Sequence, residues 1–253
     1  MPNEEQISKG ERGPIRVLMW SGPRNISTAM LRSFENRDDT FVSDEPLYAY
    51  YLDQTGYEHP GREEVIDVHD ANWRSVINTL TSTIPRGKAI WYQKQMAHHL
   101  LPEVDRAWLM RDDIVNSFLI REPREMLTSL INVLGDVDLD QTAMPQQVEI
   151  LRAIKQAGKR PVVVDSRDVQ DSPRRTLEKF CSSVGIPFSE RMLNWPDGPR
   201  DSDAVWGKHW YANVYRTTTF GRYRPKEDVL PSRYNDMLRR CEDLYNEMAE
   251  HRI

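Results

Sequence analysis

The segment Ile15 to Ser21 (IRVLMWS) is an apolar run rich in strand formers that stops at Gly22-Pro23, where a loop must begin. From Ser27 the spacing becomes helical, with Met30, Leu31 and Phe34 recurring before the turn-like stretch Asn36 to Asp39. Thr40 to Ser43 then reads as a second short strand. Strand, loop, helix and strand in that order point to a parallel sheet covered on both faces.

The rest of the chain repeats this alternation. Lys88 to Gln93, Val115 to Ile120 and Val162 to Val164 read as further strands, the last ending at Asp165. Arg62 to Ile84 has the period of one long helix. Pro123 opens another helix at a position proline suits, and Gln146 to Ala157, Arg174 to Val184 and Tyr234 to Glu250 complete the set. Tyr48 to Pro60, aromatic and punctuated by Gly and Pro, is expected to be an irregular pocket-lining or surface insertion. The fold class is α/β with a central five-stranded parallel sheet, whose ligands belong beyond the carboxyl ends of the strands.

Composition limits the function. Across 253 residues, 34 Lys and Arg face 39 Asp and Glu, a net charge of −5. That balance argues against a general nucleic-acid binder, so any anion site must be local. Cys181 and Cys241 have no metal or redox spacing, as expected of free thiols in a reducing compartment. Apolar runs such as Val17 to Trp20 fall far short of the roughly 18 residues a membrane span needs, and Met1 to Gly13 lacks the apolar centre of a signal peptide. The expectation is a cytoplasmic chain with a disordered tail at 1–13 and one domain over 14–253. Oligomeric state has no signature in the sequence.

Ser21-Gly22-Pro23-Arg24-Asn25-Ile26-Ser27-Thr28 lies where a phosphate loop belongs, after a buried strand and at a helix start. The open N–H groups and dipole of such a helix favour an anion. Ser27 and Thr28 add hydroxyls, and Arg24 adds a fixed positive charge with several donors. It is not a Walker A loop, because Ser27 stands where that motif has Lys. Read from the residues alone, the segment could equally be a helix capped by Ser27 or Asn25.

Pro23-Arg24-x-x-Ser27-Thr28 after a hydrophobic strand resembles the 5′-phosphosulfate loop of sulfotransferases that use 3′-phosphoadenosine 5′-phosphosulfate (PAPS). The family's loop reads Pro-Lys-Ser-Gly-Thr or Pro-Arg-Ser-Gly-Ser-Thr, and Asn25-Ile26 replace its Ser-Gly. Arg121, after the fourth strand, and Ser129, in the following helix, resemble the family's Arg and Ser that hold the 3′-phosphate. The residues by themselves also allow an Arg121–Glu125 pair and a Ser129 bonded to its own helix. The resemblance implies a P-loop-type three-layer sandwich, PAPS as sulfuryl donor, the corresponding bisphosphate (PAP) as product, and no metal. Arg24, Asn25, Ile26, Ser27, Thr28, Arg121 and Ser129 would then bind the nucleotide.

The resemblance also implies catalytic groups. Arg24 would steady the leaving phosphate. Glu45, in Asp44-Glu45-Pro46-Leu47, is similar to the Glu of a Glu-Pro-Leu stretch in carbohydrate sulfotransferases and is the expected general base; the residues alone leave Asp44 and Glu45 open as ordinary loop carboxylates. Lys94 resembles the Lys of the cytosolic family's Lys-Thr-His segment, whose His place is taken by Met96. His98 and His99 stand near enough to serve as base, or else as capping or partner-binding residues. In Trp206 to Arg224, an aromatic and basic stretch, Arg222 and Arg224 could close over the nucleotide, while Trp206, Trp210 and Tyr215 could form a core-facing helix. Asp165 resembles a Walker B position, or a cap for the next turn.

The expected activity is sulfuryl transfer from PAPS to a hydroxyl or amino group of a small-molecule acceptor, with no nucleic acid or membrane partner. Tyr48, Tyr50, Tyr51, Tyr57 and Trp73 are candidates for an aromatic acceptor pocket and equally for the core. The alternatives are a nucleotide-dependent small-molecule kinase, disfavoured by the missing Walker Lys, and a non-catalytic PAP-binding sensor.

Overall fold

The computed structural model describes residues 13–225 and 229–253; of the tail expected at 1–13, all but Gly13 lies outside the described residues. Strands β1 (Ile15–Ser21), β2 (Thr40–Asp44), β3 (Ile90–Met96), β4 (Ile114–Ile120) and β5 (Val162–Asp165) form one sheet in the order β2-β3-β1-β4-β5. Every neighbouring pair is parallel. The helices are α1 (Ser27–Glu35), α2 (Tyr48–Thr55), α3 (Arg62–Val68), α4 (Trp73–Leu80), α5 (Pro123–Leu134), α6 (Met144–Gln156), α7 (Ser166–Asp171), α8 (Pro173–Val184), α9 (Gly207–Trp210) and α10 (Asn235–Ala249).

The central strand β1 is almost wholly buried because both of its faces are covered. Leu18 and Trp20 pack with Leu151 and Ile154 of α6 and Met248 of α10. Val17 and Met19 pack with Met30, Leu31 and Phe34 of α1 and Leu177 and Phe180 of α8. Phe34 stacks on Tyr92 with ring centroids 4.1 Å apart and meets Phe180 edge-on at 5.9 Å. Truncating a ring so placed costs about 3–5 kcal/mol.

Two expectations are corrected. Tyr48 to Pro60 is not irregular throughout: Tyr48–Thr55 is helical, and Tyr48, Tyr51 and Leu52 are buried against Trp206 and Tyr211. Arg62 to Ile84 is two helices, since His69 turns extended and Asn72 caps α4 by accepting from the amides of Arg74 and Ser75. Asp165 serves as a cap, accepting from the Arg167 amide at 2.8 Å at the start of α7. Cys181 and Cys241 are buried free thiols. No helix among the described residues is long and apolar enough to cross a membrane.

The strand order places the site. From β1 the chain turns toward β2 at one edge, whereas from β4 it continues to β5 at the other. The crevice between the carboxyl ends of β1 and β4 is therefore a topological switch point, the usual ligand position in such sheets. Ser21 and Leu119 are register partners, so the loops that leave these two strands start side by side.

Candidate active site

A cavity of about 360 Å³ opens at this crevice and runs toward β2 and β3. Arg24, Ser27, Thr28, Arg121 and Ser129 line one part of it, and Glu45, Lys94, Tyr48, Tyr51, His98 and His99 line another.

At the first part, α1 starts after Ile26 with no side-chain cap, so the amides of its first turn have no side-chain acceptor. Asn25 does not cap the helix. Its amide donates to the Leu119 carbonyl at 3.0 Å and its oxygen accepts from Ile26 N at 2.9 Å, which ties the loop to β4. Arg24 has φ 57°, a left-handed conformation that costs a non-glycine residue about 1–3 kcal/mol. Its Nε donates to Ser129 Oγ at 3.1 Å, while Arg121 Nη1 donates to the Arg24 carbonyl at 2.6 Å. Arg121 also pairs with Glu125 at 3.0 Å. Burial first, and then the Arg121 charge, push the Arg24 guanidinium below its ordinary value. Two crowded guanidiniums against one carboxylate make a local excess of positive charge, which an anion would relieve.

Gly22 is required by proximity. A Cβ there would meet the Thr142 carbonyl oxygen at 2.6 Å. The acidic stretch before α6 therefore presses directly on the loop that carries Arg24.

At the second part, Asp44 and Lys94 are register partners on β2 and β3. The Lys94 ammonium donates to Asp44 Oδ1 at 2.8 Å, Glu45 Oε1 at 2.6 Å and the Tyr211 hydroxyl at 2.7 Å, which uses all three of its protons. Tyr211 in turn donates to Asp44 Oδ2 at 2.6 Å and accepts from Trp206 Nε1 at 3.2 Å. The side chains of Asp44 and Lys94 are each 1% exposed, against 14% for Glu45. Glu45 is thus the carboxylate that reaches the cavity. Burial, opposed by Lys94 and reinforced by Asp44, raises its pKa. One ammonium between two carboxylates leaves an uncompensated negative charge, so the cluster has an affinity for one more proton. Glu45 also has positive φ, at 41°, held by hydrogen bonds from its own amide to the Lys94 carbonyl and from Tyr48 N to its carbonyl, each 2.9 Å.

His98 and His99 occupy a 3₁₀ turn that follows β3. Burial pushes His98 down to about 3 and His99 well below its ordinary value. His99 lies between Tyr48 and Tyr51, with ring centroids at 4.8 and 4.6 Å.

Arg222 and Arg224 are exposed and line no part of the cavity, although the nearby Thr217, Thr219 and Gly221 do. Tyr223 between them donates to Glu125. Trp206 and Tyr211 are buried with Tyr48 and Tyr51, and Tyr211 and Trp210 both line the cavity. Trp73, the first residue of α4, packs instead against the main core. Sequence reasoning missed Tyr211 and also His59, whose Nδ1 lies 2.8 Å from the Tyr48 hydroxyl. Neither has a local motif; each is brought in by folding from far along the chain or from an irregular loop. No group of three His, Cys, Asp or Glu side chains able to hold a metal ion occurs among the described residues.

Comparison with known proteins agrees with this architecture. A family model described as "sulfotransferase domain" matches residues 15–252. The chain is 33% identical over 238 residues to branched-chain-amino-acid aminotransferase-like protein 1 of Arabidopsis thaliana, a match covering 94% of this chain and 42% of that protein. The chain therefore spans less than half the length of this relative. Among solved structures it is similar to the sulfotransferase domain of the Synechococcus PCC 7002 olefin synthase, with a TM-score of 0.57 and 16% identity over 96% of this chain and 98% of the other. The sulfotransferase domain from the curacin biosynthetic pathway gives 0.53 and 14% over 92% and 97%. At these identities the likeness is one of fold, the P-loop-type α/β sandwich.

Proposed function

The chain belongs to the sulfotransferase domain family, and from that premise we propose that it moves a sulfuryl group from PAPS to a hydroxyl or amino group of a small-molecule acceptor. The observation that carries this reading is the junction of Arg24, Ser129 and Arg121 at one part of a cavity whose other part presents Glu45. Uncapped helix amides, serine and threonine hydroxyls and a guanidinium excess suit the phosphosulfate and 3′-phosphate of such a donor.

Glu45 takes the proton of the acceptor as its oxygen or nitrogen bonds to sulfur. The bond between sulfur and the bridging phosphate oxygen breaks, and its electron pair leaves with PAP. Arg24 neutralises the charge that builds on that oxygen, so positioning and electrostatics supply most of the rate, as in phosphoryl transfer. His98 and His99, held neutral with pKa values far below the working range, are poor bases at neutral pH. Lys94 has no proton free for the donor, and its role is to hold Glu45 in place.

Calorimetry with PAP and with ATP plus magnesium tests the donor. Tight PAP binding without magnesium is expected. A preference for magnesium-ATP would replace the proposal with the kinase reading.

A further inference from the structure

His98 and His99 are 8% and 2% exposed, both line the cavity, and in both rings Nδ1 is sealed from solvent with no hydrogen-bond partner. A buried N–H without an acceptor costs more than a bare nitrogen left alone, so the neutral ring in each case places its proton on Nε2. The rings are fixed by their neighbours: His99 stacks between Tyr48 and Tyr51, and His98 meets Tyr51 edge-on at 5.0 Å. Neither Nε2 has a hydrogen-bond partner among the described residues.

Building on the sulfuryl-transfer reading, we infer that His98 and His99 are a second recognition point, whose Nε2–H groups donate to an oxygen atom of an uncharged acceptor with a flat, apolar body. The charges around the acceptor part of the cavity disfavour an anion, and the paired N–H donors disfavour an ammonium group at the same point. Its cations are Arg24 and Arg121 at the nucleotide part and Lys94, whose protons are all used. An acceptor carboxylate beside the histidines would have no counter-ion, and the nearby Tyr51 and Tyr57 hydroxyls are pushed up by burial first and then, among neighbouring charges, by Asp138 and Asp140. An ammonium group seated at the histidines would face their two N–H donors. A carbonyl or ether oxygen on an aromatic body satisfies both the donors and the Tyr48, Tyr51 and Trp210 rings.

The test is calorimetry on PAP-loaded protein with four probes of one shape: para-hydroxyacetophenone, para-ethylphenol, para-hydroxybenzoate and tyramine. The ketone should bind about tenfold more tightly than para-ethylphenol, the yield of one net hydrogen bond, and more tightly than either charged probe. In His99→Phe, which keeps a ring between Tyr48 and Tyr51, ketone affinity should fall toward that of para-ethylphenol, with the His98 donor retaining part of the difference, while the affinity for para-ethylphenol is unchanged. Nitrogen NMR of the wild-type imidazoles, which needs no variant to fold, should find neutral Nε2–H rings between about pH 5 and 8. Equal binding of ketone and ethyl probes, preference for a charged probe, binding of none, or an Nδ1–H ring would each overturn the inference. Failure of PAP itself to bind would instead overturn the sulfuryl-transfer reading beneath it.

Discussion

Arg121 donates from its guanidinium to the backbone carbonyl of Arg24 at 2.6 Å, across a crevice that separates two loops 97 residues apart in the chain. That contact joins the end of β4 to the loop after β1, and Arg24 extends it to Ser129 on α5. Both loops are thereby held in one geometry before any ligand arrives, which lowers the ordering cost of binding.

Arg121→Ala removes both a cation facing the cavity and the clamp on the Arg24 carbonyl. PAP affinity should fall by about tenfold to a hundredfold, the range of a charge-assisted hydrogen bond. Arg121→Lys keeps the charge without the fork and should recover only part of it. Calorimetry on the three proteins decides the matter; unchanged PAP affinity in Arg121→Ala would separate this residue from the nucleotide.

Gly22→Ala should damage stability and binding together. The new methyl would meet the Thr142 carbonyl, a backbone atom that cannot swing aside, and overpacking of this kind costs about 1–3 kcal/mol. Relief requires the Arg24 loop to move. Thermal denaturation should give a lower midpoint and calorimetry a weaker PAP complex, whereas a drop in the midpoint with intact affinity would show that the loop tolerates displacement.

Much of this was legible locally. The strands could be read because runs such as IRVLMWS are buried on both faces, and Arg24, Arg121 and Glu45 because each follows a strand. The break between α3 and α4 was not, since Val65, Trp73, Val76 and Leu80 keep a helical period across the cap at Asn72. Helix α2 was hidden by its tyrosines, which read as loop aromatics until Trp206 and Tyr211 are seen to bury them. Tyr211 lies 117 residues from Lys94 and depends on the path of an irregular segment. Strand order, which sets the switch point, is a matter of pairing between distant segments and has no local period.

Glu45→Gln should lower kcat by about a hundredfold or more with PAP affinity almost intact, because it removes a proton acceptor and little volume. In the wild type the active form is the ionised carboxylate. Since its pKa is raised, kcat/KM should increase with pH through a limb displaced above the ordinary Glu value and level off beyond it. Full turnover by Glu45→Gln would move the base elsewhere.

Tyr211→Phe is expected to act through Glu45. It deletes a donor to Asp44 and an acceptor for Lys94, which leaves the ammonium to draw the two carboxylates closer and changes the charge Glu45 feels. The acid limb of the pH–rate profile should shift and kcat should fall more than KM changes. A loss of thermal stability with an unmoved limb would reduce Tyr211 to a packing role.

The buried imidazoles make the fold acid-sensitive. His98 faces Tyr51 from α2, His99 from its own turn and His59 from the loop beyond α2, and burial followed by the His59 charge lowers its pKa from 6.5 to about 3. In the unfolded chain the ring gains its proton near the ordinary value, so between the two values the unfolded state holds the extra proton. Stability is therefore complete above about 6.5 and declines as pH falls through it, continuing toward the folded value. His99, also lowered, adds to the same slope. Urea midpoints measured between about pH 8 and pH 5 should fall steadily in the wild type and less steeply in His98→Gln, which cannot titrate. Parallel slopes for the two proteins would mean that His98 is protonated in the folded state, and with it the neutral lining of the cavity would be lost.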